Sequence, residues 1–223
     1  MGREFNPYIN NGGTVIAVAT GNRVVVGCDT RLSQGYSIVA RDYVKVTQLT
    51  SKCVIATSGM TTDAQALHKL LKARVTMYQQ MHSSEPSTAA MAQLLSNTLY
   101  GRRFFPYYTF NLLCGLSDSG EGVIYGYDAI GSYDVMQYGA QGSGIELVIP
   151  VLDNQMTGRN QLIPTLVRPG ENGLPQYHGD PLELVKDAMT SCAERDINTG
   201  DSVELFDISA QGIARSAIAL RFD

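Results

Sequence analysis

The start of the chain is dominated by two runs of β-branched residues that a Gly-Asn pair separates. "TVIAVAT" covers residues 14–20 and "RVVVGCDT" covers residues 23–30. Val, Ile and Thr favour strands, because side chains that branch at Cβ pack well on a pleated surface. Gly21 and Asn22 both tolerate the positive φ that a two-residue hairpin turn requires. The stretch therefore predicts a β-hairpin.

Beyond this hairpin the apolar period changes several times. Apolar residues at three- and four-residue steps predict a helix over residues 61–82, capped by Thr61 or Thr62, and a second helix that Ser87 or Thr88 caps. Asp180 before Pro181 predicts the start of another helix, ending near Glu194. The remaining predicted strands are 37–49, 52–59, 108–117, 123–128, 202–209 and 213–222, with a short helix over 142–154 and a loop over 155–179.

Strands and helices come in blocks rather than in strict alternation. Such an order indicates an α+β fold with antiparallel sheets. We expect two sheets stacked face to face, with helices on both outer faces. The predicted organisation is a short extension, residues 1–12, followed by one domain over residues 13–223.

Composition excludes several classes of protein. The net charge of -4, without a run of like charge, argues against a nucleic-acid-binding protein. The sequence has no apolar stretch near 18 residues, so no membrane span is predicted. The four cysteines, Cys28, Cys53, Cys114 and Cys192, have no metal-type spacing, and buried free thiols in a reducing, intracellular setting are expected. Charged residues make up only 17%, against about 25% in an average soluble protein, which favours an oligomer.

Several separated motifs carry a family resemblance. They are "GGTVIAVA", "CDTR", "YVKV", "SGMTTDAQAL", "GSGIELVIPVLDNQ" and "ERDINTGD", in that order. Together they resemble proteasome β-type subunits, from about Gly12 to Phe222. The resemblance implies the four-layer αββα sandwich of two antiparallel sheets known as the N-terminal nucleophile hydrolase fold. "YGRRFFPYYTFNLLCGL", "GYDAIGSY" and "LDNQ" are most similar to the class at the sixth position of the eukaryotic β ring, in which no mature active site forms.

The resemblance implies a specific chemistry in the catalytic members. A threonine hydroxyl is the nucleophile, its free amine is the base, and a lysine ammonium lowers the pKa of that amine. The family places an Asp sixteen residues after the threonine and the Lys sixteen further on. Asp29 and Lys45 match that spacing, and the position sixteen before Asp29 is Gly13, which has no hydroxyl.

Thr14 is one residue away from the nucleophile position. Because successive side chains of a strand point to opposite faces, this offset turns Thr14 away from Asp29 and Lys45. A bulge at Gly12-Gly13 would restore the register, and the chain would then be an active threonine peptidase with Thr14 as nucleophile. The hairpin aligns without a gap, which favours the inactive interpretation.

The other family positions are interpreted as remnants. Asp29 and Lys45 are expected to form a buried ion pair, so that replacing both with apolar residues should cost less stability than removing one. Ser143 matches the family serine, with helix capping as the alternative role. Asp196 matches the remaining acid, with a turn carboxylate as its alternative, and Thr199 stands where the family usually has Ser. Gly59 matches the glycine of the substrate groove, whose N–H would belong to an oxyanion hole.

Two further features concern partners. The resemblance places Asp128 at a neighbouring subunit's substrate pocket, with a strand-ending Asp as the alternative. The aromatic run at residues 104–108, next to Arg102 and Arg103, is compatible with core packing or with a subunit contact. The three histidines, His68, His82 and His178, are too scattered to predict a metal site.

The resemblance thus implies a non-catalytic structural subunit of the 20S proteasome core. The expected partners are the other β subunits of a seven-membered ring, the opposing β ring and α subunits, with no cofactor, nucleic acid or membrane. The expected role is in ubiquitin-dependent protein degradation in the cytoplasm and nucleus.

Overall fold

The protein folds into four layers, helices–sheet–sheet–helices, which confirms the predicted architecture. The computed structural model describes residues 5–158, 167–169 and 175–221. Both large sheets are antiparallel and have five strands each. Among the described helices, none is both long and apolar enough to cross a membrane.

The first sheet has the strand order β10-β1-β2-β13-β14. Its strands are β1 (Thr14–Thr20), β2 (Arg23–Asp29), β10 (Tyr138–Gly142), β13 (Ser202–Ser209) and β14 (Gly212–Ala219). The second sheet runs β5 to β9 in sequence order, with β5 (Val46–Thr50), β6 (Cys53–Gly59), β7 (Thr109–Leu116), β8 (Gly122–Tyr127) and β9 (Tyr133–Met136). Two short hairpins lie outside them: β3 (Leu32–Gln34) with β4 (Ser37–Ala40), and β11 (Val167–Pro169) with β12 (Pro175–Tyr177).

Four helices cover the outer faces. Helices α1 (Thr61–His82) and α2 (Thr88–Tyr100) pack on the second sheet, where Leu67, Leu71 and Leu95 share a buried cluster with Ile55 and Leu113. Helices α3 (Ile145–Leu152) and α4 (Pro181–Ala193) pack on the first, and α3 continues into a π-helical turn at Asp153–Thr157. The central strands of both sheets are therefore buried on both faces, whereas the edge strands β9 and β14 are largely exposed.

Strand β1 shows how the sequence produces this layering. Val15 and Ala17 belong to the cluster between the two sheets, whereas Ile16 and Val18 belong to the cluster under α3 and α4. The run "VIAV" has no polar residue because both faces of the strand are covered. Burial of apolar surface contributes about 25 cal/mol per Å², so these side chains favour the folded state.

The helix starts were predicted with mixed success. Ser87 caps α2 by accepting from the N–H of Ala90 at 3.2 Å, and Asp180 caps α4 by accepting from Leu182 at 3.0 Å, as predicted. The cap of α1 is Met60, not Thr61 or Thr62, and its side chain makes no capping bond. The N–H of Thr61 is instead satisfied by the Asn11 side chain at 3.0 Å.

Two predicted elements, one strand and one helix, have wrong boundaries. The predicted strand over 37–49 is divided: β4 ends at Ala40 and β5 begins at Val46. Tertiary contacts cause the break, because Tyr43 donates its N–H to Thr30 and Arg41 pairs with Asp201. The region 142–154 is helical only from Ile145, since its start belongs to β10.

The prediction of a loop over 155–179 can be assessed only in part. Residues 159–166 and 170–174 lie outside the described residues. The described part of that segment includes the paired strands β11 and β12 and the end of the π-helical turn, so it is not wholly irregular. All four cysteines are free and buried, as predicted.

His68, on α1, lies between the hydroxyl groups of two threonines on the second sheet. Its Nε2 lies 2.7 Å from Thr57 Oγ1 and its Nδ1 lies 3.0 Å from Thr47 Oγ1. Thr57 donates its proton to Asn111, so it accepts from His68, and the ring is the neutral Nε2–H tautomer. Burial, assisted by the nearby Lys72 ammonium, lowers the pKa of His68 from 6.5 to about 4.

This environment predicts a pH dependence of folding. The folded state prefers the neutral ring. The resulting contribution to the free energy of unfolding is complete above about pH 6.5 and is lost as the pH falls toward 4. The full effect should approach about 3 kcal/mol. We expect His68→Gln to reduce the change of the thermal midpoint of the chain between these two pH values. His82→Gln, on the exposed end of α1, is the matched control, and equal pH slopes for the two variants would contradict the assignment.

Candidate functional site

Gly13 lies immediately before β1, next to the side chains of Lys45 and Asp29. Its backbone has φ of +85°, in the region that favours glycine. A Cβ added at this position would overlap Cε of Lys45, and would lie 2.8 Å from its Nζ and 3.0 Å from Asp29 Oδ1. The lysine side chain therefore fills the space that a side chain at position 13 would need.

The Asp29 carboxylate is fully buried and accepts several backbone donors. Oδ1 accepts from the N–H of Thr14 at 2.7 Å. Oδ2 accepts from Arg31 at 3.2 Å and Gly200 at 3.4 Å. Burial raises the pKa of Asp29, and the Lys45 ammonium and these N–H donors oppose that effect. The carboxylate thus ties together the start of β1, the end of β2 and the turn before β13.

The Lys45 ammonium is 4% exposed and all its donors are occupied. Nζ lies 3.1 Å from Asp29 Oδ1, and it donates to the carbonyl oxygens of Asp29 at 2.8 Å and Arg31 at 2.6 Å. The predicted buried ion pair is present. Because each of the three ammonium protons has a partner, the side chain is fixed at the end of β2.

Thr14 faces away from this ion pair. Its Oγ1 lies 2.6 Å from Thr199 Oγ1 and accepts from the N–H of Gly144 at 3.0 Å, and the residue is fully buried. The pairing of β1 with β2 is continuous from Val15 opposite Cys28. The β1–β2 ladder therefore contains no bulge that would turn the Thr14 hydroxyl toward Lys45.

The remaining predicted positions also converge here. Ser143 donates to Asp196 Oδ2 at 2.6 Å, and Thr199 donates to the same oxygen at 2.6 Å. The N–H of Ser143 donates to the carbonyl of Gly13 at 3.0 Å. Asp196 also accepts from the N–H of Asn198, as the turn carboxylate of the alternative interpretation would. The network surrounds position 13 and continues to Thr14 through Thr199.

Asn11 lies beside this network, and no sequence pattern predicted its role. Its N–H donates to the carbonyl of Gly59 at 3.1 Å, and its own carbonyl accepts from the N–H of Ser33 at 3.1 Å. Its side chain bonds Ser33 and Thr61 in addition. The extension thus lies between the Gly59 and Ser33 backbones as a short bridging segment.

Little space remains in the cleft next to Lys45. The pocket lined by Gly12, Lys45 and Gly59, among others, has a volume of about 10 Å³. A single water molecule needs about that much room, so no substrate side chain fits there in this conformation.

Asp128 stabilises a local turn. Asp128 Oδ1 accepts from the N–H groups of Ile130 at 3.0 Å and Ser132 at 2.8 Å, which stabilises the turn between β8 and β9. Its side chain is nonetheless exposed, so the predicted position at a neighbour's pocket stays a prediction. Within the described ranges, no cluster of three or more His, Cys, Asp or Glu side chains could hold a metal ion.

Comparison with known proteins gives consistent matches over almost the whole chain. The family described as Proteasome subunit matches residues 9–163. Proteasome subunit beta type-1 of Arabidopsis thaliana is 46% identical over 220 residues, which are 99% of this chain and 97% of that protein. Proteasome subunit beta type-1 of Danio rerio is 41% identical over 99% of this chain and 90% of that protein. The probable proteasome subunit beta type-6 of Schizosaccharomyces pombe is 34% identical over 99% and 98%.

The geometry predicts that Lys45→Ala is strongly destabilising. Removing one partner of a buried pair typically costs about 3 to 5 kcal/mol. From the sequence alone, Asp29→Leu with Lys45→Met is predicted to recover part of this loss. The structure reverses that expectation, because leucine cannot accept the N–H groups of Thr14, Arg31 and Gly200.

Thermal midpoints and urea unfolding of the purified chain test this. We expect the single and double variants to lose comparable stability, while Lys69→Ala on the exposed face of α1 stays close to wild type. A double variant as stable as the wild type would show that backbone capping by Asp29 is unimportant.

Proposed function

The chain belongs to the proteasome β-subunit family and is a β subunit of the multi-subunit 20S core, and on that basis we propose that it is a non-catalytic, structural member. The observation that carries the proposal is the environment of Gly13. The nucleophile position lacks a hydroxyl, and the Lys45 side chain fills the place where one would stand.

A second requirement of the chemistry is also unmet in this chain. The amine of Gly13 is part of the peptide bond with Gly12, so it is not a free base. Asn11, two residues upstream, is held on the Gly59 and Ser33 backbones, where the groove would otherwise be open. The extension therefore supports a chamber-wall role rather than a substrate-processing one.

The alternative function is an active threonine peptidase with Thr14 as nucleophile. It would need an exposed hydroxyl beside Lys45 and a free amine on Thr14. Instead the Thr14 hydroxyl is buried between Thr199 and Gly144, and its N–H donates to Asp29. These contacts favour the non-catalytic role.

The position in the particle belongs to the same proposal. The relatives carry the names beta type-1 and beta type-6, so their numbers do not decide a place in the ring. We assign the sixth position of a seven-membered β ring on the sequence motifs, with contacts to neighbouring β subunits, the opposing β ring and α subunits. In this role the exposed Asp128 would border a neighbour's substrate pocket, and the particle would act in ubiquitin-dependent degradation in the cytoplasm and nucleus.

The proposal predicts how the assembled particle reacts with an epoxyketone probe. Wild-type chain should remain unlabelled, and Gly13→Thr should also remain unlabelled or react far more weakly than the catalytic subunits. The reason is that a threonine side chain at position 13 would overlap Lys45, whose hydrogen bonds hold it in place.

The catalytic subunits of the same particle serve as the positive control, and mass spectrometry of the labelled residue is the readout. Thr14→Ser keeps the hydroxyl and Thr14→Ala removes it. Because the Thr14 hydroxyl is not a nucleophile in this proposal, neither variant should change peptide turnover by the particle. Labelling of wild-type chain at Thr14, abolished in Thr14→Ala, would overturn the non-catalytic proposal.

A further inference from the structure

A compact aromatic and cationic projection begins at the last residue of α2, and its tip is fully exposed among the residues that the structure describes. It consists of residues 100–105, "YGRRFF", and is called here the aromatic knob. Phe104 is 100% exposed, and Tyr100 and Phe105 are 63% and 58% exposed. A fully exposed phenylalanine beside two more large aromatic side chains is unusual for surface that stays in water.

The knob is ordered by its own backbone. The N–H groups of Arg102 and Arg103 donate to the carbonyls of Leu99 and Tyr100, each at 3.0 Å. The N–H of Phe105 donates to Arg102 at 3.0 Å. These consecutive turns hold Phe104 outward, so the aromatic tip would lose little conformational freedom on binding.

Two aromatic contacts brace the knob from the side. The Tyr8 ring stacks on Phe105 with centroids 5.6 Å apart, and its hydroxyl donates to the carbonyl of Pro106 at 2.9 Å. The Arg102 guanidinium lies over the Tyr107 ring at 5.1 Å. Tyr8 belongs to the extension, so the segment that fills the cleft through Asn11 also supports the knob.

The charge of the knob opposes that of the chain. Arg102 and Arg103 are exposed, and neither has a carboxylate partner within the part of the chain that the structure describes. The whole chain carries a net charge of -4. Carboxylates around an apolar pocket would complement this surface, and the multi-subunit core offers other subunits as partners. Aromatic residues and arginine are the residue types that most often dominate binding energy at protein interfaces.

We propose that the aromatic knob inserts into an apolar socket, rimmed by carboxylates, on a different subunit of the same particle. Phe104 fills the socket, Arg102 and Arg103 pair with its rim, and Tyr8 sets the angle of insertion. The proposal rests on membership of the multi-subunit core and does not depend on whether the chain is catalytic.

Competition for assembly tests the knob. Tagged variants are co-expressed with untagged wild-type chain, and the tagged fraction in purified particles is measured. Phe104→Ala and the pair Arg102→Glu with Arg103→Glu should each reduce incorporation about tenfold, as expected when an interface anchor is removed. Tyr8→Ala should give a smaller reduction. Tyr36→Ala removes another aromatic side chain, 99% exposed at a different turn, and should incorporate like wild type.

Photo-crosslinking identifies the occupant. A benzoylphenylalanine at position 104 in the particle should form a crosslink to one subunit other than this chain, at a segment with apolar residues flanked by Asp or Glu. A crosslink to a second copy, to lipid or to no partner would overturn the proposal. So would normal incorporation of Phe104→Ala, or an equal loss for Tyr36→Ala. All of these variants are assayed by their incorporation into particles. A result that contradicts the knob proposal therefore does not affect the epoxyketone test of the non-catalytic role.

Discussion

The buried ammonium of Lys45 is the interaction on which the site depends. It carries a positive charge in a place that is 4% exposed, and such a charge is stable only when every donor is paired. Asp29 supplies a carboxylate oxygen and a carbonyl, and Arg31 supplies a second carbonyl. The end of β2 must therefore stay against the start of β5, one strand in each sheet. This contact links the two sheets and determines what can stand at position 13.

Glycine at position 13 is compatible with that arrangement because it adds no side chain above the lysine. The chain passes over the ion pair with φ of +85°, and Thr14 then donates its N–H to Asp29. The strand alternation that follows directs the Thr14 hydroxyl to Thr199 on the other side. Gly13, Asp29 and Lys45 have the spacing of a catalytic site, and their hydrogen bonds connect the two sheets, the adjoining turns and the extension.

The sequence alone was sufficient for the features that local chemistry determines. The β1–β2 hairpin and the cap at Asp180 follow from residue type and spacing, and Ser87 was one of two candidate caps. The Asp29–Lys45 pair and the offset of Thr14 came instead from the resemblance to proteasome β subunits. The division of the predicted strand 37–49 could not be predicted, because contacts of Tyr43 and Arg41 with distant residues override its alternating pattern. Strands β9 and β10 were missed for a related reason: β9 is largely exposed and β10 contains two glycines, so their pairing with β8 and β1 determines them. Asn11 was missed because its backbone and side-chain partners, Ser33, Gly59 and Thr61, are distant from it in the sequence.

The N-terminal residue of the mature chain in purified particles tests the central claim most directly. Intact-mass measurement and N-terminal sequencing identify it without any assumption about substrate. The non-catalytic role predicts a chain that begins upstream of Gly13, with Asn11 still present to bridge Gly59 and Ser33. A mature chain that begins at Thr14 would have the free amine that a threonine nucleophile requires, and it would contradict the non-catalytic role.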